Sequence, residues 1–565
     1  MKTIVKDSIV FTTCSSRGLF LSFFVLLFFL SPVFGQNTSD TTVLIEKVFK
    51  RYQAKNPGCQ FSVSRNGQLI FSKAWGSADL EHDIPLSLTS VIEAGSVSKQ
   101  FTAAAVLLLE QQGKLSVNDD IRKYIPELPD YGRVIKVRNL IHHTSGIKDW
   151  GSIAELTGWG RGTKTYSNHD ALEISAAQKT LNNAPGAEFI YSNSNYNLLA
   201  IVIQRVSGMS LADYTKKYIF IPAGMNHTQW RDNFKRVVKD RAIAYEKIDS
   251  VYQANMPNEY AYGNGGLLTT SEDLLKWNDF YLSGKFGSPS LLTKQISLDT
   301  LTNGNFVYYG AGLFIQTNNG LKVIRHTGAT GSYRCYLGYY PELKLSMAWI
   351  SNSSEYDDSD FEVIHEVEKI LLPKRPSTDA GSRRDNKTIP TILSVAKLKT
   401  YSGWYRNIMT DDAVQIVLKD GELLFNNRLP LQATDDHLFK APGGNLIDFD
   451  PKTRGFLGIN SDQDTSIFAP AIAANLNLAR SKAYIGKYFS DETGSWISVS
   501  LSGDTLKMNL SGTQSYVLTP TYKDGFLAKG SGGIVYFERD KKNAISKMRI
   551  SQSRARKVQY TRTIN

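Results

Sequence analysis

The sequence predicts an α+β fold in which one antiparallel sheet is flanked by helices and is followed by two small antiparallel β-barrels. Three observations lead to this prediction. Strand patterns stand at both ends of the first 375 residues with helical patterns between them, a polar segment follows, and the remainder is rich in strands and repeats itself once. At 565 residues the chain is also too long for one hydrophobic core, because cores stop growing at about 250–300 residues.

The predicted parts of the chain are an N-terminal segment, one large domain, a linker and two small domains. We place a signal peptide at residues 1–35, the mixed domain at 40–375, the linker at 376–390, and the barrels at 391–475 and 476–565. The linker is polar and charged and is bounded by prolines, which is typical of a domain boundary.

The N-terminal segment has the pattern of a secretory signal. Lys2, Lys6 and Arg17 precede a charge-free stretch whose centre, GLFLSFFVLLFFL, has the length of an apolar signal core. An uncleaved membrane anchor is the alternative, because the apolar stretch approaches the length of a membrane span. Both interpretations predict export, to the periplasm or the medium, and cleavage leaves no transmembrane segment.

Composition and charge exclude several classes of protein. A hydrophobic content of 42% and a charged content of 21% are those of a globular chain and not of a disordered one. The net charge is +12, but no nucleic-acid-reading motif accompanies it, so we expect no nucleic-acid partner. Loose contact with anionic envelope polymers is a second interpretation of the basic excess. Cys59 and Cys335 are predicted to be separate buried thiols, with one disulfide as the alternative.

The mixed domain begins and ends with strand patterns. CQFSVSRNGQLIFSKAW alternates around Asn66-Gly67 as a hairpin does, and LKVIRHTG, SYRCYLGYYP and LKLSMAWISN predict three further strands. Between them, residues 97–112 predict a helix that Gly113 ends. One antiparallel sheet closed by the two ends of the domain follows from this order.

The strand-rich remainder contains a repeat. YSGWY at residue 401 recurs as YIGKY at residue 484, and each copy is followed by a hairpin pattern and later by a strand that carries a phenylalanine. Two copies with a long period indicate duplicated small β domains, each with the length of an up-and-down barrel. The alternative is one irregular sandwich.

Three Ser-x-x-Lys motifs occur in the chain, and their contexts differ. The pairs are Ser96 with Lys99, Ser145 with Lys148, and Ser394 with Lys397. Only the first pair opens a long apolar helix, FTAAAVLLLEQQ, which must be buried on nearly all sides.

Positions i and i+3 share a helix face, so Lys99 can lie against the Ser96 hydroxyl. Desolvation and the positive helix N-terminus would lower the lysine pKa, and the neutral amine can then take the serine proton. In the alternative, Ser96 or Ser98 caps the helix and Lys99 is solvated.

Two other stretches carry candidate site residues. Tyr191 and Asn193 are two positions apart before an apolar helix and would project to one side, where a phenol can relay a proton and an amide can hold a carbonyl or the lysine. His326 and Gly328 share one face of a strand end, where a glycine lets a substrate lie along the strand edge.

The backbone N–H groups of Ser96 and Ala329 would then form an oxyanion hole. Taken alone, the tyrosine and asparagine are ordinary packing and turn residues, and the histidine stretch is an ordinary turn.

Together and in this order, the three stretches resemble the motifs of the penicillin-recognising serine hydrolases, which include serine β-lactamases, D,D-carboxypeptidases, D-aminopeptidases and related esterases. The tyrosine version is similar to the class C β-lactamase and D-aminopeptidase branch, and LIHHTSGI, IPAGMNHT and YGNGGLLTTSEDLLKW fit that branch. The resemblance spans about residues 40–372 and implies a β-lactamase/transpeptidase-like fold. The repeated domains resemble the lipocalin-like barrels appended to some members.

The resemblance implies roles for particular residues. The implied catalytic residues are Ser96, Lys99, Tyr191 and His326. The implied substrate-binding residues are Asn193, Thr327 and Gly328. Ser96 would be acylated, with Lys99 as general base or proton shuttle and Tyr191 as partner acid and base. Which of the two takes the first proton stays open at this point.

The implied activity is that of a serine hydrolase that cleaves amide or ester bonds. The main departure from the pattern is His326, where typical β-lactamases and carboxypeptidases have a lysine; an unperturbed histidine is mostly neutral at pH 7 and holds a carboxylate weakly. We therefore expect D-amino-acid-containing peptides or amides, or small esters, as substrates. The alternatives are β-lactamase or D,D-carboxypeptidase activity, or a non-catalytic envelope sensor.

The sequence predicts neither a metal site nor a cofactor, because it has no metal-ligand spacing. Residues 147–186 are expected to form the rim of the pocket, with Trp150 and Trp159 as candidates for an apolar subsite. A barrel loop that reaches the site is a further possibility. The oligomeric state does not follow from the sequence.

Overall fold

A computed structural model of the chain describes residues 38–355, 361–373, 391–460, 465–511, 514–530 and 532–563. The predicted signal peptide and the predicted linker lie outside these ranges. Among the described residues no helix has the length and apolarity needed to cross a membrane.

One six-stranded antiparallel sheet forms the centre of the first domain. Its strands are β1 (Cys59–Arg65), β2 (Gln68–Trp75), β3 (Phe314–Asn318), β4 (Leu321–Thr330), β5 (Tyr333–Tyr340) and β6 (Leu345–Ser351). They are arranged in the order β3-β4-β5-β6-β1-β2, so the two ends of the domain meet where β6 pairs with β1. The predicted hairpin at Asn66-Gly67 and the three later strands are confirmed.

Helices cover both faces of this sheet. They include α1 (Thr38–Val48), α2 (Lys99–Gln111), α3 (Trp150–Leu156), α4 (Asn168–Ala176), α5 (Asn193–Ser207), α6 (Ser271–Leu282) and α7 (Glu362–Leu371). Short helical segments lie at Phe49–Arg51, Gly95–Ser98, Ile121–Lys123, Val137–Ile141, Leu211–Thr215, Lys216–Phe220, Ile221–Ala223, Pro289–Gln295 and Pro341–Leu343. Short paired strands lie at Ser77–Asp79, Ile84–Pro85, Ile92–Glu93, Gln229–Trp230, Tyr245–Ile248, Val251–Ala254, Leu267–Thr269, Asp299–Thr300 and Phe306–Val307.

Alternate residues of the central strands enter two different cores. Cys335 and Ile350 pack into the large core that holds α2 and α5, whereas Tyr336 and Trp349 pack into a smaller core with α1 and α7. A strand buried on both faces follows directly from side chains that alternate in direction. Cys59 and Cys335 are both free and buried, as expected for separate thiols.

Two closed eight-stranded barrels follow, which confirms the predicted fold class. The first consists of β7 (Gly403–Asn407), β8 (Ala413–Lys419), β9 (Glu422–Phe425), β10 (Leu429–Ala433), β11 (Leu438–Lys440), β12 (Leu446–Phe449), β13 (Phe456–Ile459) and β14 (Thr465–Ala471). The second consists of β15 (Gly486–Ser490), β16 (Ser495–Ser502), β17 (Thr505–Asn509), β18 (Ser515–Pro520), β19 (Gly525–Ala528), β20 (Gly533–Arg539), β21 (Ile545–Gln552) and β22 (Ala555–Arg562). Short helices lie at Val395–Lys399, Pro442–Gly444, Leu478–Ser481 and Lys482–Tyr484.

The repeated YxGxY motif has the same structural role in both barrels. The Tyr405 hydroxyl donates to the Tyr401 carbonyl at 2.8 Å, and the Tyr488 hydroxyl donates to the Tyr484 carbonyl at 2.8 Å. All four tyrosines are buried in the barrel cores. In each barrel the motif therefore bonds the first strand to the chain segment just before it, which explains why the motif recurs.

The second barrel is docked on the first domain through the segment 147–186. Ile153 and Leu156 of α3 pack into the hydrophobic core of the barrel. Beside them, Lys148 Nζ lies 2.7 Å from Glu492 Oε2 in an ion pair whose side chains are 0% and 6% exposed. The predicted rim of the pocket is thus mainly a docking surface for another domain.

The first barrel is in turn held by the second. Arg549 of β21 makes a bidentate ion pair with Asp411, at 2.6 and 2.8 Å, and Asp411 is buried. The Tyr522 hydroxyl donates to the Asp411 carbonyl at 2.8 Å. Polar contacts therefore connect the three domains in series.

Replacing Glu492 by alanine should destabilise the docked structure strongly, because it leaves the buried Lys148 ammonium without a carboxylate partner and with only the Thr180 hydroxyl at 3.1 Å. We expect a loss of about 3–5 kcal/mol in the free energy of unfolding, measured by denaturant titration. Lys179→Ala is the matched control: Lys179 pairs with Asp491 across the same interface, but both side chains are more than half exposed. It should change stability little. Equal losses for both variants would contradict the prediction.

Candidate active site

Ser96 lies in a tight turn directly before α2. The turn is a 3-10 segment over Gly95–Ser98, and the α-helix begins at Lys99, two residues later than the sequence predicts. Gly95 has a φ of +50°, and a Cβ at this position would lie 2.6 Å from the backbone nitrogen of Ala329. Only glycine fits such a backbone. The Ser96 side chain stays partly exposed at the surface of the turn.

Lys99 is fully buried, with a relative exposure of 0%. Its Nζ lies 3.0 Å from Ser96 Oγ, 3.0 Å from Asn193 Oδ1 and 2.5 Å from the carbonyl oxygen of Asn264. The Ser98 side chain does not cap the helix and instead accepts a hydrogen bond from the Leu267 backbone at 3.1 Å. The alternative of a solvated lysine beside a capping serine is therefore wrong.

The environment of Lys99 favours its neutral form. Burial lowers its pKa well below the usual 10.5, and the charges of Arg554 and Arg161 lower the pKa further, whereas Asp149 partly offsets them. A neutral amine has two N–H donors and one lone pair. Asn193 Oδ1 and the Asn264 carbonyl can only accept, so they take the two N–H groups and the lone pair is left for the Ser96 hydroxyl.

Tyr191 and Asn193 complete this cluster from the start of α5. The Tyr191 ring centroid is 4.8 Å from Lys99 Nζ. Burial raises the pKa of the Tyr191 phenol well above 10, and a hydrogen bond with Ser96 only partly offsets the increase. The phenol therefore keeps its proton at neutral pH. The Asn193 backbone N–H donates to Asp149 Oδ2 at 2.5 Å, which anchors the first turn of the helix.

The end of β4 packs against the turn that carries Ser96. A Cβ on Gly328 would lie 2.0 Å from the Ala94 carbonyl oxygen and 3.1 Å from the Ser96 nitrogen. Since Gly95 meets the nitrogen of Ala329 in the same contact, the backbone N–H groups of Ser96 and Ala329 belong to one tight junction. That these two N–H groups form an oxyanion hole stays a prediction.

The same strand leaves a free edge at the site. Pairing between β3 and β4 reaches only Phe314 with Arg325, so no described strand of the sheet covers the β3 side of residues 326–330. Ala329 is exposed and Thr327 is half-buried on this stretch. An extended substrate can therefore hydrogen-bond along it.

His326 lies close to the cluster but has no free nitrogen. Its exposure is 2%, its Nδ1 lies 2.6 Å from the Thr327 carbonyl oxygen, and its Nε2 lies 3.1 Å from the Tyr309 hydroxyl. Burial is the main cause that lowers the pKa of His326, to about 3. The imidazole is therefore neutral, and its contact with the Tyr309 hydroxyl supports the end of β4. The ring centroids of His326 and Tyr191 are 6.3 Å apart.

Three further residues belong to the site and were missed from the sequence. Asn264, within the stretch YGNGGLL, contributes only its main-chain carbonyl. Asp149 holds the backbone of Asn193, and His143 packs on Tyr191 with ring centroids 4.3 Å apart. The fit of LIHHTSGI and YGNGGLL to the family pattern is the only signal for two of them. Asp149 lies in the predicted rim 147–186, but no pattern singles it out within that stretch.

The other two Ser-x-x-Lys motifs have structural roles. The Ser145 hydroxyl donates to Asn195 Oδ1 at 2.7 Å, and Lys148 is bound to Glu492. Ser394 caps the short helix Val395–Lys399 by accepting from the backbone of Lys397 at 3.2 Å. Both pairs therefore differ from Ser96 and Lys99, whose side chains are in direct contact at 3.0 Å.

The candidate apolar subsite does not form from the two tryptophans. Trp150 is fully buried and donates to Asn197 Oδ1 at 2.9 Å, so it belongs to the core, whereas Trp159 is 50% exposed. Within the described ranges, Asp79, Glu81 and His82 are the group whose geometry could hold a metal ion. It lies in the turn that links Ser77–Asp79 to Ile84–Pro85, where Asp79 already accepts from the backbone of the other two.

Comparison with known proteins places this geometry in context. A family model described as Beta-lactamase matches residues 45–370. Penicillin-binding protein 4* of Bacillus subtilis (strain 168) is 26% identical over 400 residues, which cover 64% of this chain and 82% of that protein.

Two solved structures are similar. The octameric penicillin-binding protein homologue from Pyrococcus abyssi has a TM-score of 0.52 and 22% identity, and the match covers 85% of this chain and 99% of that one. The D-amino acid amidase from Ochrobactrum anthropi SV3 has a TM-score of 0.51 and 20% identity, with 59% of this chain and 100% of that one covered. At these identities the likeness concerns the fold.

Adding a methyl group at Gly328 should lower the reactivity of Ser96 without changing the Ser96 side chain itself. Gly328→Ala must push β4 away from Ala94 and Ser96, so we expect phosphonylation of Ser96 by a fluorophosphonate probe to slow by about 10²-fold or more, as when an oxyanion donor is lost. Gly458→Ala is the control, since its new Cβ would meet nothing closer than 3.4 Å. Labelling of Gly328→Ala at the wild-type rate would show that the junction is not required.

Proposed function

The chain belongs to the Beta-lactamase family, and from this membership we propose that it is a serine hydrolase that cleaves amide or ester bonds through an acyl-enzyme at Ser96. The observation that supports this most directly is the buried Lys99 amine, whose Nζ lies 3.0 Å from the hydroxyl of a partly exposed serine. A desolvated amine beside a hydroxyl is the arrangement that activates a serine nucleophile.

Acylation begins with proton transfer from Ser96 to Lys99. Ser96 Oγ attacks the carbonyl carbon as its proton moves to the lone pair of Nζ, and the carbonyl oxygen becomes an oxyanion held by the N–H groups of Ser96 and Ala329. Lys99 is the first base in this proposal because its pKa is lowered, whereas the pKa of Tyr191 is raised. The phenol therefore starts the reaction as an acid.

Collapse of the intermediate breaks the bond to the leaving group. Tyr191 gives its proton to the departing nitrogen or oxygen and takes a proton back from the Lys99 ammonium. Water then attacks the carbonyl carbon of the acyl-enzyme and gives one proton to the pair formed by Lys99 and Tyr191. The proton returns to Ser96 Oγ as the acid product leaves, so the site is restored. Asn193 and the Asn264 carbonyl hold the amine in place throughout.

The proposed substrates follow from the strand end. His326 brings no charge to the end of β4, and residues 326–330 therefore offer hydrogen bonds but no cation for a substrate carboxylate. As far as β4 is concerned, D-amino-acid-containing peptides or amides and small esters are favoured over penicillins and D-Ala-D-Ala termini. The alternative function is an envelope sensor that is acylated and does not turn over. We also propose that the protein acts after export, on the basis of its N-terminal signal pattern.

Replacing Ser96 by alanine should remove hydrolysis of both p-nitrophenyl acetate and D-alanine p-nitroanilide. We expect kcat/KM to fall by about 10³-fold or more, because the covalent route is lost. Intact-mass measurement of the wild type should show an acyl adduct that decays. An adduct on Ser96 that persists without turnover would favour the sensor, and full activity in Ser96→Ala would contradict the proposal.

The pH profile should show one limb on the acid side, due to Lys99. Activity requires the neutral amine, so kcat/KM for a neutral ester should fall as pH falls through the Lys99 pKa, which is below its usual 10.5. Tyr191→Phe should lower the rate and keep this limb, because the limb belongs to the lysine. Loss of the limb in Tyr191→Phe would assign the first base to the tyrosine instead.

A further inference from the structure

A hairpin of the second barrel ends at the candidate active site. Ser553 and Arg554 are the two turn residues between β21 and β22. The Arg554 carbonyl accepts hydrogen bonds from the Asp149 backbone and from Asn182 Nδ2, both at 3.0 Å. Since the carboxylate of the same Asp149 holds Asn193, the hairpin is fastened directly to the residues that position Lys99.

The side chain of Arg554 projects a free cation over this site. Its guanidinium carbon lies 5.0 Å from the centroid of the Tyr191 ring, and the residue is exposed. Among the described residues no carboxylate pairs with it. Arg556, two positions along, differs: it is bound to Glu188 at 2.9 Å and serves the docking interface.

Arg554 also differs from the other arginine near the site. Its charge lowers the pKa of both Lys99 and Tyr191. Arg161 acts in the same direction, but Glu259 binds it at 2.8 and 2.9 Å. The anionic groups that face this region are Asp149, which is engaged by backbone N–H groups, and Glu155, whose pKa is raised mainly by burial.

The Arg554 guanidinium lies on the side of the site from which the leaving group would depart. In the proposed function Tyr191 protonates the leaving group, so a charge beside its ring lies where the leaving group departs. His326 is neutral, so the end of β4 at residues 326–330 supplies no competing cation, and Arg325 before it donates to Gln316 Oε1 at 2.7 Å. A carboxylate on the leaving group would find in Arg554 an exposed, unpaired guanidinium with the fork geometry that carboxylates bind.

We propose that Arg554, from the second barrel, binds a carboxylate on the leaving group and thereby determines substrate specificity. This inference rests on the proposed function. It names as preferred substrates those peptides in which the residue that leaves ends in a free carboxylate, over the matching carboxamides. The expectation drawn from His326 alone, that the site holds a carboxylate weakly, is revised accordingly.

Two aryl esters test the proposal with everything else constant. 4-Nitrophenyl acetate and 3-carboxy-4-nitrophenyl acetate give the same acetyl-enzyme and differ by one carboxylate on the leaving group. Deacylation is therefore identical, and kcat/KM reports acylation alone. The ratio of wild-type to variant kcat/KM for each ester also cancels their difference in intrinsic reactivity.

Arg554→Met should lower kcat/KM for the carboxylated ester about tenfold more than for the neutral ester, the effect of one lost charge-assisted hydrogen bond. Arg554→Lys should keep a substantial part of the discrimination because it keeps the charge. Lys541→Met is the matched control. It removes an exposed cation of the same barrel, from the turn before the eight-residue strand β21, whose own length of about 27 Å separates that turn from the hairpin of Arg554.

The pH profile gives a second measurement that a purely structural role would not change. Because Arg554 lowers the pKa of Lys99, Arg554→Met should move the acid limb for the neutral ester to higher pH, and Lys541→Met should not. Equal losses on both esters in Arg554→Met, with an unmoved limb, would overturn the proposal and assign Arg554 to docking only.

The variant Ser96→Ala distinguishes a failure of the proposed role of Arg554 from a failure of the proposed function. If it abolishes turnover of both esters while Arg554→Met shows no discrimination, the serine hydrolase stands and the role of Arg554 is wrong. If Ser96→Ala still turns over both esters at the wild-type rate, the acyl-enzyme is wrong, and the assignment of the leaving-group side falls with it.

Discussion

The burial of one lysine amine is the constraint on which the rest of the site depends. Lys99 occupies a position with no solvent exposure, and its Nζ has three oxygen partners drawn from three separate segments of the chain. A charged ammonium there would be opposed by desolvation and by nearby arginines. The tight turn at Gly95, the start of α5 and the Asn264 carbonyl are all placed so that a neutral amine can be satisfied and still face Ser96.

Asp149 connects this constraint to the domain organisation. Its carboxylate accepts from the backbones of Ser152 and Asn193, so it caps α3 and steadies the residue that holds the lysine. Its own N–H donates to the Arg554 carbonyl in the second barrel. The segment that carries Asp149 also places Ile153 in the barrel core. The barrel is therefore part of the wall of the site, and its docking determines where an additional cation stands.

Most of the fold and the centre of the site could be predicted from the sequence, because both are encoded locally. Alternating apolar residues predict the strands, and the apolar helix that follows Ser96 separates this Ser-x-x-Lys pair from the two others. The Asn264 contact could not be predicted, since a main-chain carbonyl carries no side-chain signal. Arg554 could not be predicted either: only the docking of a distant barrel brings it to Tyr191, and an arginine in a hairpin turn is an ordinary surface residue until that docking is known.

The unpaired Arg554 guanidinium couples substrate charge to the activation of the nucleophile. In the free enzyme its field helps to keep Lys99 neutral, which favours proton uptake from Ser96. When a carboxylate pairs with the guanidinium, that field is offset at the amine, and Lys99 becomes a stronger base at the moment when it must accept the proton. A neutral leaving group leaves the field unchanged and the amine less basic. One cation can thus keep Lys99 neutral in the free enzyme and favour reaction with anionic substrates, and here it is supplied by the second barrel at an exposed position beside Tyr191.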